Sequence, residues 1–354
     1  MDRPQNSLAL LQQQLGIELK AINAARALSD KKREDLAARL RDINPSDTSV
    51  VVYGSLARGE FTEGSDIDWT LLVDGFADPK HLEVVREIDK IVSEVVAKPP
   101  GREGTFGTLT FSHELVHQIG GQEDTNRNST RRILLLLESQ VLGRSEAYER
   151  VVTNLLRRYI LEDSTFVKQT AKHHVPRFLM NDFARQWWTM AVDFAYKQRT
   201  RAGKGAAIRN LKLRMSRKMI YVSGLLTCFS CDLALGAAKP IVDCAKPGEG
   251  LDCLRSVRER LQTPLETLSG VLLGFGHLDA TARKLLIAYD GFLGMLADRS
   301  SRDHLEELDQ TQYETDEIFQ RGRSFSHDFR DGLLELFFDT QSGLYALTKE
   351  YGVF

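Results

Sequence analysis

Ten residues separate Gly54-Ser55 from Asp66-Ile67-Asp68, and apolar runs flank the whole stretch, with Val50, Val51 and Val52 before it and Trp69 to Val73 after it. The runs read as two strands around a glycine-rich turn. In an extended chain Asp66 and Asp68 lie two residues apart and project from the same face. Paired carboxylates there suit a hard divalent cation, Mg²⁺ or Mn²⁺, which takes oxygen ligands together with substrate phosphates. The Gly54-Ser55 turn lets backbone N–H groups and a hydroxyl approach a phosphate chain with no side chain in the way. These residues suit the transfer of a nucleotide: Asp66 and Asp68 on the metal, Gly54 and Ser55 on the β- and γ-phosphates, with Ser65 and Arg58 close in sequence.

The pattern resembles the DNA polymerase β-like nucleotidyltransferase superfamily, whose signature is an apolar residue, Gly-Ser, about ten residues, then Asp-apolar-Asp. Tyr53, Gly54, Ser55, Asp66, Ile67, Asp68 and Trp69 match it. Arg58-Gly59-Glu60 and Ser65-Asp66-Ile67-Asp68 look most like the bacterial uridylyltransferase/DUF294-like branch. A second patch, Phe111-Ser112-His113-Glu114 through Asp124, Thr130 and 134–142, is similar to that branch's stretch after its third core strand. The resemblance implies a metal-dependent transferase (EC 2.7.7-type) acting on an NTP or dNTP with release of pyrophosphate. A motif of this length gains its weight from its flanking strands.

One part departs from the family. Many members carry a third carboxylate on a later strand, which here is expected at 107–111. That segment, Gly-Thr-Leu-Thr-Phe, has no acid, and Thr110 falls at the expected place. Glu114, the nearest substitute, is carried as a candidate catalytic residue, with Asp124 behind it. A catalytically inactive nucleotide-binding module is therefore one alternative reading.

With 354 residues the chain has room for two domains. A formal charge of −2 does not mark the whole chain as a nucleic-acid binder. No run approaches the roughly 20 apolar residues that a membrane span needs, and no basic start with an apolar core opens the chain, so a soluble, cytoplasmic protein is expected. Cysteines stand at 228, 231, 244 and 253. Their second pair is spaced too widely for a zinc knuckle, and buried thiols are expected, with a structural metal as the alternative.

Segments 8–28 and 31–42 carry helical periodicity and read as an N-terminal helical pair. Asp78-Pro79 opens a helix expected to reach about Val96. The loop 101–107 brings Arg102 near the core in sequence, and 128–142 reads as one helix. From Ser145 onward, 148–159, 175–196, 206–229, 251–273, 280–297, 304–321 and 325–350 all read as helices. The expected fold is α+β: a small mixed-sheet core with N-terminal helices, catalytic over 1–143, and a larger all-α domain over 144–354.

From Phe194 to Cys231 there is no acidic residue, and nine of the 22 residues from Lys197 to Lys218 are basic. Ile208, Leu211, Met215, Met219 and Val222 recur at steps of three and four, so one stripe packs inward. Such a field favours phosphates. Helical domains of the superfamily often close over the nucleotide, so Arg209, Lys212, Arg217 and Lys218 are candidate triphosphate or acceptor contacts. Trp187 and Trp188 are either base-stacking or core residues. The histidine pairs 173–174 and 113/117 read as structural. Tyr351, three residues from the end, is a candidate acceptor hydroxyl.

Neither the hydrolase nor the sensing domains of the uridylyltransferases are evident. The expected function is template-independent synthesis of a nucleotide oligomer or messenger in bacterial signalling or anti-phage defence. Its partners would be the nucleotide, an oligonucleotide product or nucleic-acid acceptor, and an effector protein. The alternatives are nucleotidylation of a protein, itself included, or of tRNA.

Overall fold

In the computed structural model, residues 6–41, 43, 45–96, 105–163, 166, 173–200, 203–233 and 250–352 are described. Two compact units form, Ala24–Ser164 in one and Met1–Asn23 with Thr165–Phe354 in the other. These limits differ from a division at Gly143. The helix after that residue packs on the sheet, and the first helix packs within the helical unit.

The chain begins with α1 (Ser7–Leu15) and α2 (Lys20–Leu40). Their break falls at Gly16, in left-handed conformation at φ 60°, rather than near residues 29–30. Ser29 lies inside the continuous α2, its hydroxyl donating to the Ala25 carbonyl one turn back at 2.7 Å. Next come β1 (Thr48–Tyr53), α3 (Gly54–Arg58), β2 (Asp68–Val73), α4 (Lys80–Val95), β3 (Thr108–Phe111), α5 (Ser112–Val116), α6 (Asn126–Leu137), β4 (Ser139–Leu142) and α7 (Glu146–Ile160). The strand β4 was expected to be the end of a helix. The segment 134–142 fits either state by periodicity, and the open edge of β1 decides it.

The sheet order is β3-β2-β1-β4, with β1 antiparallel to both β2 and β4, and β2 parallel to β3. This is the mixed sheet that was expected. One face is apolar: Val50, Val52, Trp69, Leu71, Val73 and Leu142 pack with Leu36 and Leu40 of α2 and Val84, Ile88 and Val92 of α4. Trp69 is fully buried, and emptying a site of that size costs about 3–5 kcal/mol. The opposite face is more polar. Tyr53 stands opposite Asp68, and its hydroxyl lies 3.3 Å from Thr70 Oγ1. There Tyr148 of α7 donates its N–H to Ser49 Oγ at 3.1 Å, and its hydroxyl lies 3.0 Å from Ser139 Oγ.

The helical unit adds α8 (Arg177–Thr200), α9 (Ala206–Lys212), a π turn at Leu213–Arg217, α10 (Lys218–Phe229), α11 (Gly250–Arg260), α12 (Pro264–Leu273), α13 (Asp279–Ala297), α14 (Arg299–Glu307), α15 (Glu317–Phe337) and α16 (Leu344–Leu347). The segment 251–273 is split at Pro264, which opens α12 at its first turn. Leu8, Leu11 and Leu15 of α1 are buried in this unit, and Leu8 donates its N–H to Glu266 Oε2 at 3.2 Å. Among the described residues no helix is long and apolar enough to cross a membrane.

Candidate active site

The turn after β1 is held from three sides. Gly54 has φ 66°, a conformation open to glycine, and starts α3 directly at the sheet end. A Cβ built on Gly54 would stand 3.2 Å from Asp68 Oδ2. The turn backbone and the Asp68 carboxylate are therefore immediate neighbours, as the pairing of Tyr53 with Asp68 requires. From α2, Arg33 donates to the Leu56 carbonyl at 2.6 Å, and Ser29 Oγ accepts the Phe61 N–H at 3.0 Å. These contacts pin the segment that begins at Gly54 to the same helix that covers the apolar face of the sheet.

The acidic pair arrives by a tight return. Thr62 and Ser65 close a turn: the Ser65 N–H bonds the Thr62 carbonyl at 2.8 Å, and Ser65 Oγ accepts the Thr62 N–H at 3.2 Å. Ser65 thus shapes the approach to the aspartates. Strand β2 begins at Asp68, so Asp66 lies in the extended segment before it. Burial still alternates. Ile67 and Trp69 enter the core at 0 % exposure, while Asp66 and Asp68 are half-buried on the other side. That alternation puts both aspartates on the side away from the core, and of the two Asp68 is the one that lies against the Gly54 turn.

Arg58 has partners inside the protein. It donates from Nε to Glu60 Oε2 at 2.8 Å and from Nη1 to Glu138. The three side chains are 9 %, 2 % and 4 % exposed. Glu138 immediately precedes β4, whose first residue pairs with Tyr53, so the arginine ties the end of α3 to the strand on the other side of the turn. The sequence offered Arg58-Gly59-Glu60 but gave no sign of Glu138, which lies far along the chain.

No carboxylate stands on β3. Thr108 pairs with Thr70 and Thr110 with Leu72, so both share the face of Asp68, and Thr110 is 1 % exposed. Glu114 is half exposed, 3.9 Å from Arg131 Nη1. Arg131 is buried on the polar face, where its Nε donates to the Thr105 carbonyl at 3.1 Å; burial lowers its pKa. Burial raises the Tyr53 hydroxyl far above its ordinary range. Asp124, the other acid weighed for this role, is buried against Arg132 at 3.1 and 3.0 Å and serves the packing of α6. Arg102 lies outside the described residues.

Residues 33–101 match the family model described as nucleotidyltransferase domain. The segment holds Gly54, Ser55, Ser65, Asp66 and Asp68. The match supports the polymerase β-like superfamily and a nucleotidyl-transfer activity, at the level of the domain and without singling out the uridylyltransferase/DUF294-like branch. No curated protein matches the chain.

The remaining candidates belong to the helical unit. Arg209 and Lys212 lie on α9, Arg217 ends the π turn, and Lys218 starts α10. Arg217 Nη1 lies 3.7 Å from Met190 Sδ. Trp187 stacks on Tyr221 at 5.6 Å, whereas Trp188 is 66 % exposed and is no core residue. Tyr351 is docked: its hydroxyl accepts a hydrogen bond from Arg177 Nη2 at 3.2 Å, and its ring lies under that guanidinium. Among the described residues no group of three or more His, Cys, Asp or Glu could hold a metal. Cys228 and Cys231 are buried free thiols, while Cys253 is disulfide-bonded, contrary to the expectation of thiols throughout; Cys244 lies outside the described residues.

Proposed function

We propose that this chain transfers a nucleoside monophosphate from an NTP or dNTP to an acceptor hydroxyl. The observation that carries the reading is the contact of Asp68 with the Gly54 turn, inside a segment that matches the nucleotidyltransferase domain. The donor set fits a divalent cation: two half-buried carboxylates two residues apart, Asp68 against a turn with no side chain at Gly54. Asp66 and Asp68 would hold Mg²⁺ or Mn²⁺, which when bound polarises the phosphates and lowers the pKa of the acceptor hydroxyl.

The chain's own residues then orient the reactants. Gly54 and Ser55 receive the β- and γ-phosphates at the turn, where backbone N–H groups and the Ser55 hydroxyl donate. Arg58 acts from beneath, holding α3 against β4 through Glu60 and Glu138. The acceptor oxygen bonds to the α-phosphorus as the bond to pyrophosphate breaks, and the acceptor's proton leaves. With threonines on β3, the proton passes to Asp68 or to water, and Glu114 is the second acid to be tested.

An oligonucleotide acceptor and product fit the acid-free basic segment better than a protein does. Template-independent synthesis of a nucleotide oligomer or messenger, in bacterial signalling or anti-phage defence, is the corresponding role. The test incubates the full chain with each α-³²P-labelled NTP and dNTP and Mg²⁺ or Mn²⁺, beside an Asp66→Asn/Asp68→Asn control. A nucleotide ladder or new small nucleotide that the control lacks is expected. Label on protein or on added tRNA would move the acceptor assignment. The absence of label from every nucleotide and acceptor would overturn transfer in favour of a binding module.

A further inference from the structure

The basic segment reaches a second row of cations that lies far from it in sequence. Arg214 and Lys218 stand one turn apart, at the π turn and the start of α10. Helix α15 packs against the same stretch. A Cβ on Gly322 would meet Leu211 Cδ1 at 2.6 Å, so the two helices are as close as a bare glycine permits. With α15 packed on α9 and on the π turn, Arg323 and Arg330 act on Arg214, and Arg330 acts on Lys218. Burial, then Arg323 and Arg330, lower the pKa of Arg214; burial, then Arg214 and Arg330, lower that of Lys218. Acids answer the two α15 cations only: Arg323 pairs with Glu314 at 3.0 Å and Arg330 with Asp331 at 2.7 Å. Among the described residues no ion pair forms to Arg214 or Lys218.

Like charges gathered on a partly desolvated surface destabilise one another unless an anion answers them. The π turn supports a built feature, since such insertions in helices concentrate at functional sites. We infer that Arg214, Lys218, Arg323 and Arg330 form a binding site for an anion with several phosphates, supplied by a nucleotide chain or by a free triphosphate. The site lies wholly in the helical unit and does not depend on catalytic transfer.

The test measures binding to the full chain in EDTA, which keeps the metal-dependent chemistry out. One arm uses a fluorescent single-stranded oligonucleotide and the other inorganic tripolyphosphate. The Arg214→Gln/Lys218→Gln variant is expected to bind at least tenfold more weakly. On the oligonucleotide its salt slope should fall by about 1.4, at about 0.7 per lost contact. Without anion, Arg214→Gln should melt no lower than wild type, because a repulsion has been removed. An Arg86→Gln/Lys90→Gln variant, which loses the same charge on α4, should bind as wild type. So should Asp66→Asn/Asp68→Asn, which separates this site from the transfer reading. Binding of the oligonucleotide alone assigns the site to a nucleotide chain, binding of tripolyphosphate alone to free nucleotides, and binding of both to their shared phosphates. Unchanged binding by Arg214→Gln/Lys218→Gln, or an equal loss in the α4 variant, would overturn the inference.

Discussion

Asp68 Oδ2 lies 3.2 Å from the point where a Cβ on Gly54 would stand. The glycine is needed twice, for its left-handed φ of 66° and for the room it leaves a carboxylate. Gly54→Ala should cost about 1–2 kcal/mol of stability for the conformation alone and should displace Asp68. Gly59, at φ 75° with its nearest neighbour 3.9 Å away, supplies the control. Gly59→Ala meets the same backbone strain without crowding the acid. Turnover should fall roughly ten- to a hundredfold in Gly54→Ala and much less in Gly59→Ala, since each tenfold is about 1.4 kcal/mol. Equal losses would show that crowding of Asp68 is not the cause.

Arg58 is expected to position the turn. Replacing it with Gln takes a shared cation away from two buried carboxylates, and breaking a buried pair in this way is worth about 3–5 kcal/mol. Denaturant titration should show that drop in Arg58→Gln. Adding Glu138→Gln should recover part of it, because one of the stranded charges is removed. A direct contact with the nucleotide would instead raise KM in Arg58→Gln while stability held.

The candidate site was legible in the sequence because it is local. Gly54, Ser55, Asp66 and Asp68 fall within fifteen residues, and the alternation of Ile67 and Trp69 with the aspartates fixes their side. What stayed hidden depends on distant partners. The segment 134–142 reads the same as helix or strand until the free edge of β1 is present to pair with it. Glu138 reads as a surface acid until β4 brings it to Arg58. The cationic row on α15 is invisible beside the basic segment, since nothing in either helix announces the other. The break after α1 was missed for a different reason: Gly16 is a capping signal, but helical periodicity continues across it.

Cys231 offers a pH test of the helical core. Burial, with Asp232 adding to it and Arg260 opposing it, pushes the thiol from 9.0 up to about 12. A folded pKa above the unfolded one contributes stability that is complete below about pH 9 and is lost as the pH rises towards 12. Urea midpoints should therefore decline over that window, and less steeply in Cys231→Ala, which is itself less stable at pH 7. Both Cys231 and Cys228 should resist alkylation at pH 8 until the chain unfolds, because the thiolate is the reactive form. Rapid native alkylation would contradict their burial.

Tyr351 can be tested as an acceptor against its observed docking. Arg177 holds both ends of the side chain, bonding the hydroxyl at 3.2 Å and covering the ring with its guanidinium carbon 4.7 Å from the centroid. An attack on phosphorus would require the hydroxyl to leave that partner and the ring to leave its place at 9 % exposure. Tyr351→Phe keeps the cation–π contact and loses the hydroxyl's hydrogen bonds to Arg177 and Glu350, so it should cost about 1–3 kcal/mol. Tyr351→Ala loses the ring contact as well and should cost more. If the tyrosine stays docked during turnover, Tyr351→Phe leaves both the nucleotide products and any label on the protein unchanged. Label that disappears from a folded, active Tyr351→Phe protein would show instead that the C-terminal turn opens and that this hydroxyl receives the nucleotide.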